Sequence, residues 1–354
     1  MSEMTTHERV SLMYRHREAD RVPIFEIPWD STLQRWRTEG LRSADYVEEL
    51  GLDAVVQFTV DNSPRFPLRV VENTDDTLVA VNGWGATMKY IKSQSSVGLI
   101  ETQVKTKDDW LKAKERMTPS DDRIPWDYLK AKWPGWKRQG AWIKAAGLFG
   151  FDVTHTWFIG SERELLALAE DPEWCVDMWR TEQDLCFVLL DRMWDAGYEF
   201  DELLWYDDMG YKLNQFFSLK TYRQLLKPIH QKAIDWAHAK GIKAYLHSCG
   251  DIRPFIPDLV EMGLDGLEPL EVKAGVDPLA VKREFGDRLL LHGGINAVLW
   301  DDVDEMEAAV RESLPALMRG GGYIFGTDHT TPNNVSLEAF KRIVHVVKEV
   351  GRYR

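Results

Sequence analysis

The chain has 354 residues, 44% of them apolar and 29% charged, a length that suits two ordinary domains or one large α/β barrel with insertions. A formal net charge of −13 argues against nucleic acid or an anionic membrane surface as the main partner. Cys175, Cys186 and Cys249 form an odd set of three, and neither a secretion-type apolar core near the N-terminus nor a run of about 18 apolar residues appears, so a reduced, soluble, cytoplasmic protein is expected.

Short apolar runs alternate with helical patterns from end to end. Strands are expected at 22–27, 54–60, 142–148, 202–206, 243–247, 266–269, 289–292 and 323–327. After the second of these, residues 68–92 alternate apolar and polar around Asn82-Gly83, which predicts an inserted β-hairpin. Residues 106–139 are charged, contain Trp133-Pro134-Gly135, and are expected to form helices and a loop on the rim. Helical periodicity marks 222–240, and 337–350 with Phe340, Ile343, Val344 and Val347 on one face. Eight strand–helix units without a composition break predict one domain over 1–354, a (β/α)8 TIM barrel with a β-hairpin and helical insertions at its mouth. A dinucleotide-binding fold would want a glycine-rich loop after the first strand, and Ile27-Pro28-Trp29-Asp30 is not one.

In such a barrel the chemistry sits at the C-terminal ends of the strands. Those ends carry Asp207-Asp208, His247-Ser248-Cys249-Gly250, Glu268-Pro269, His292-Gly293-Gly294 and Thr327-Asp328-His329. His247 and Cys249, two positions apart, project to the same side and are candidate zinc ligands; an isolated His-x-Cys also describes a packed histidine beside an inert buried cysteine. His329 is a candidate third ligand, with a fourth position open or filled by Asp208 or Glu268. Gly293-Gly294 after His292 reads as a turn for close backbone approach. Of the 15 Trp residues, most are expected in the core. Trp29, Trp157 and Trp205 are candidates for lining a flat ligand's pocket.

The segments 241–251, 263–265, 291–296 and 320–325, containing His247-Ser248-Cys249-Gly250-Asp251 and His292-Gly293-Gly294-Ile295-Asn296, resemble the superfamily of uroporphyrinogen decarboxylase and the cobalamin-dependent methyltransferases. The resemblance runs over nearly the whole chain and implies a TIM barrel. Its methyltransferase branch uses His-x-Cys and a later ligand, usually Cys, where this chain has His329. The decarboxylases carry substrate-binding arginines after the first strand, where this chain reads Ile27-Pro28-Trp29-Asp30-Ser31. Asp61 resembles their essential aspartate only with a shift of one position. The resemblance therefore implies a zinc-dependent methyltransferase that moves a methyl group between a small donor, such as a methoxylated aromatic, and cobalamin. No cobalamin-binding module is recognised in the sequence, so the corrinoid is expected from a partner protein or as free cofactor. Asp208 and Glu268 would orient ligands or pass a proton, with Asp61 and Asp207 near the substrate. A decarboxylase acting on a smaller acid is the alternative.

Overall fold

The computed structural model describes residues 3–94 and 97–353. After a short helix α1 (Thr6–Met13), the first regular strand is β1 (Val55–Thr59). A meander of β2 (Arg69–Asn73), β3 (Thr77–Val81), β4 (Ala86–Ile91) and β5 (Val97–Thr102) follows. Next come β6 (Trp142–Gly147), β7 (Glu202–Tyr206), a two-rung hairpin of β8 (Gly210–Tyr211) and β9 (Asn214–Gln215), then β10 (Lys243–His247), β11 (Gly266–Glu268), β12 (Leu290–His292) and β13 (Tyr323–Ile324). Strands β1-β6-β7-β10-β11-β12-β13 pair in that order, all parallel, into one seven-stranded sheet. Helices such as Pro172–Asp195, Lys227–Ala239, Val303–Leu317 and Leu337–Val350 connect or flank these strands, so the molecule is an α/β protein of TIM-like kind.

Seven of the eight expected strands are present, and the run 22–27 is not a regular one. Pro23 and Pro28 have no amide hydrogen to give a ladder, which leaves isolated bridges from Ile24 to Phe325 and from Pro28 to Thr331. The run is nonetheless tied on both sides. Phe25 donates its amide to Phe325 O (3.0 Å), Phe325 donates to Pro23 O (2.8 Å), and Asp53, just before β1, donates to Ile24 O (3.0 Å). The expected hairpin is larger than anticipated, a four-stranded antiparallel sheet in the order β2-β3-β4-β5. The stretch 106–139 is divided: its helix Lys107–Lys114 packs Trp110 against Phe158 in the segment after β6, whereas its helix Trp126–Gln139 packs Trp133 against Phe58 of β1 and ends where Gly140 O accepts the amide of His7 in α1. Its turn at Asp121–Arg123 and its Arg116, whose guanidinium lies 4.8 Å over the Phe66 ring, reach the loop after β1.

Two sets of buried side chains alternate along the sheet. Val55, Trp142, Leu204, Tyr245, Leu290 and Ile324 pack together with Val10 and Met13 of α1, the set enclosed by the curled sheet. Their neighbours Phe58, Leu203, Trp205, Ala244, Leu246, Leu289 and Leu291 belong to the larger core shared with the flanking helices. Because side chains in a strand repeat every two residues, this parity decides which strand-end residues face inward. Residues two beyond Leu204, Tyr245 and Leu290 are Tyr206, His247 and His292. Register places Tyr206 beside His247 and His247 beside Glu268.

Candidate metal centre

Inward parity continues past the strand ends to Asp208 after Tyr206 and to Cys249 after His247. A nitrogen of His247, the sulfur of Cys249 and a carboxylate oxygen of Asp208 lie within 4.8 Å of one another, in half-buried positions. His247 Nε2 is 3.4 Å from Cys249 Sγ and 3.8 Å from Asp208 Oδ1. The turn after β10 is held by Asp208 itself, whose Oδ1 accepts the Cys249 amide at 2.7 Å, while Ser248 Oγ accepts the Met209 amide. Gly250 has φ +82°, and a Cβ there would lie 2.1 Å from the Gly210 carbonyl carbon, so only glycine lets this turn close against β8.

On the other side of the imidazole, Nδ1 meets Glu268 Oε1 at 3.0 Å. Glu268 Oε2 accepts from Tyr245 Oη at 2.7 Å and from His292 Nδ1. Burial works to raise the Glu268 pKa, but the charge and hydrogen bonds of His292 and His247 outweigh it and hold the group well below the usual carboxylate range. Below lies a buried ion pair, Lys144 Nζ to Glu202 Oε1 at 2.9 Å, with Lys144 also 3.7 Å over the Tyr245 ring. Tyr206 stands against His247, ring centroids 5.0 Å apart, and donates its hydroxyl to Gln57 Oε1 at 3.3 Å.

The donor set fits a zinc-type ion. One imidazole with its other nitrogen tied to a carboxylate, one sulfur and one carboxylate are ligands of that class, and three protein ligands leave a further position open. The electrostatics agree with this fit. Burial, with Asp208 alongside, pushes the Cys249 thiol up to about 12, and burial with Asp152 nearby pushes Asp208 up to about 6. Both groups thus pay for negative charge in this enclosure, and a cation among them removes that cost.

Other residues singled out from the sequence lie elsewhere. His329 is exposed, bonded through Nδ1 to Thr330 Oγ1 at 3.1 Å, and is not part of the three-residue group. The chain there is pinned by its neighbours: Thr327 to the buried Glu26, and Asp328 to the amides of Val272 and Ala297, so the following side chain turns to solvent. Asp207 has the outward parity of Trp205 and is fully buried, with Oδ2 on His230 Nε2 at 2.8 Å and Oδ1 on the Asp152 amide. It does not face the group. Trp205 is equally buried and stacked on Phe149, ring centroids 6.2 Å apart, in the outer core. Trp157 is half-buried against the outer core, and Trp29 is half-buried with its indole N–H on Thr330 Oγ1.

Asp61 borders a separate cavity of about 560 Å³ with Asn62, Arg65, Phe66, Trp84 and Arg123. Burial is offset by bonds from Ser63 and Arg65, which bring its pKa below the usual value. Tyr245 and Glu26 drew no attention in the sequence because a tyrosine or glutamate within an apolar run has no local signature; His292 was legible only as the residue before a turn.

The model of the family described as uroporphyrinogen decarboxylase (URO-D) matches residues 166–350. Among solved structures, a methyltransferase from Methanosarcina mazei is similar at 18% identity and a TM-score of 0.69, over 98% of this chain and 99% of that one, a likeness of fold. No curated protein sequence matches.

Proposed function

This chain belongs to the uroporphyrinogen decarboxylase (URO-D) family, and from that premise we propose that it is a zinc-dependent methyltransferase working with a corrinoid. The observation that carries the reading is the convergence of Asp208, His247 and Cys249, with Glu268 holding the far nitrogen of the imidazole. Bound there, zinc would supply Lewis acidity to the heteroatom beside the methyl group and make it a better leaving group. The protein's own groups supply the rest. Glu268 keeps the Nδ1 proton of His247 engaged, so that Nε2 offers its lone pair toward Cys249 and Asp208. Tyr206, against the His247 ring and bonded to Gln57, would orient a small donor, a methoxylated aromatic being the class proposed. The corrinoid, free or on a partner protein, would meet the donor from the side of the strand C-termini. The run 22–27 is taken as the eighth strand position of one barrel domain.

The decarboxylase reading is weaker on the charges available. An acid substrate needs free cations, yet beside Asp61 the Arg123 guanidinium is spent on the carbonyls of Asp61, Ser63, Arg116 and Thr118. Arg65 is likewise spent on Asp61 and Asp122. The test is elemental analysis of protein purified without added metal, followed by mixing with cob(I)alamin and a panel of methyl ethers. About one zinc per chain and the appearance of methylcobalamin absorbance are expected, in line with a three-ligand site. Carbon dioxide release from an acid substrate, with no methyl transfer across the panel, overturns the proposal.

A further inference from the structure

We propose that Tyr245 and His292 are positioning residues for the metal cluster: they clamp one oxygen of Glu268 so that the other is held on His247. The inference rests on the metal-binding reading and goes beyond it, since neither residue is placed to touch metal or substrate.

The geometry is a chain of fixed contacts across three adjacent strands. Glu268 Oε2 takes two donors, Tyr245 Oη at 2.7 Å and His292 Nδ1. Tyr245 Oη and His292 Nδ1 are themselves 2.8 Å apart, so the three groups form a closed triangle. The outer edge of His292 is fixed in turn, Nε2 meeting Phe25 O at 3.1 Å. Both edges of the His292 ring are thus held by partners, so the ring cannot turn away from Glu268 without losing both contacts. Tyr245, Glu268 and His292 are all buried, so these bonds sit in surroundings of low dielectric that strengthen them.

A glutamate carboxylate turns freely about its last torsion, and either oxygen could serve the imidazole. With Oε2 committed twice, only Oε1 remains for His247 Nδ1, at one angle and distance. The imidazole is thereby held in the tautomer and orientation that aim Nε2 at Cys249 and Asp208. If the triangle merely filled the interior of the curled sheet, its loss would lower stability and leave metal binding alone.

The experiment compares full-length Tyr245→Phe and His292→Gln with wild type, reading zinc affinity by competition with a chromophoric chelator and the visible ligand-field bands of the cobalt(II) form. Removal of outer partners of this kind costs roughly 10–100-fold in metal affinity. A loss in that range is expected for His292→Gln and of about 10-fold for Tyr245→Phe, with altered cobalt bands in both. Tyr245→Phe removes one hydroxyl from an otherwise unchanged ring, so it decides the matter if His292→Gln does not fold. Variants that bind zinc like a zinc-binding wild type, with unchanged cobalt bands, overturn the clamp and leave the metal reading standing. A wild type that binds no zinc overturns both.

Discussion

Cys249 and Asp208 each follow an inward-facing strand residue by two positions, and that parity makes them specific targets. Cys249→Ala removes the sulfur and leaves the interior packing of Tyr245 and Leu290 untouched. It should lower zinc content from about one per chain to a small fraction, with an unchanged far-UV circular dichroism spectrum. Retained zinc would count against Cys249 as a ligand. Glu26 offers a test independent of metal. Burial raises its carboxyl from 4.5 to about 7, despite hydrogen bonds from Thr327 and Thr331. A raised native pKa contributes stability that is complete below about pH 4.5 and is lost as pH rises through about 7, worth roughly 3 kcal/mol. The difference in unfolding free energy between wild type and Glu26→Gln should therefore shift by that order across this window, in favour of the variant at high pH. A pH-independent difference in denaturant titrations would refute it. At this scale the sequence showed where chemistry-bearing residues gather but not which way each turns. The spacing of His247 and Cys249 carried their convergence. Asp207 and His329 fell outside it because a one-residue offset, or a pinned neighbour such as Asp328, reverses a side chain's direction, and no local pattern records that.

Among the elements, the turn joining β10 to the helix Ile256–Glu261 carries the cluster's sulfur and has no room for change. Gly250→Ala forces a Cβ into the Gly210 backbone, so the turn and the β8–β9 hairpin must separate. The expected outcome is loss of most zinc binding together with a melting temperature lower by several degrees, as about 1–3 kcal/mol of strain would produce. Unchanged metal affinity would mean that the cluster tolerates a displaced turn. Strand runs with apolar periodicity were readable in the sequence at seven places in the sheet. The eighth, 22–27, has the apolar composition of a strand without its hydrogen-bonding capacity: two prolines in 22–28 remove ladder donors and leave isolated bridges. The meander exceeds the expected hairpin for the opposite reason. Residues 97–102 alternate weakly and are largely exposed, so they lack the apolar contrast that marks a strand, and they are ordered by pairing with β4.

For the molecule as a whole, charge sets what it can accept. The net −13 is joined at the strand C-termini by Asp208, Glu268 and Glu271, and the nearby arginines Arg65 and Arg123 are already engaged. Binding assays should favour a neutral methoxylated benzene over a tetrapyrrole polycarboxylate; tight binding of the polycarboxylate would reverse the assignment of reaction type. No helix of the described residues is long and apolar enough to cross a membrane.

The burial of the three cysteines has a practical consequence. Cys175 and Cys186 are sealed in the outer core, while Cys249 alone is half-buried. The native chain thus carries a single addressable thiol, and that thiol reports on its own surroundings. A small alkylating reagent should modify one sulfur per chain, slowly because burial holds it protonated, and a bound ion should shield it altogether. The mass of the labelled protein then counts filled and empty sites molecule by molecule, without any substrate being known.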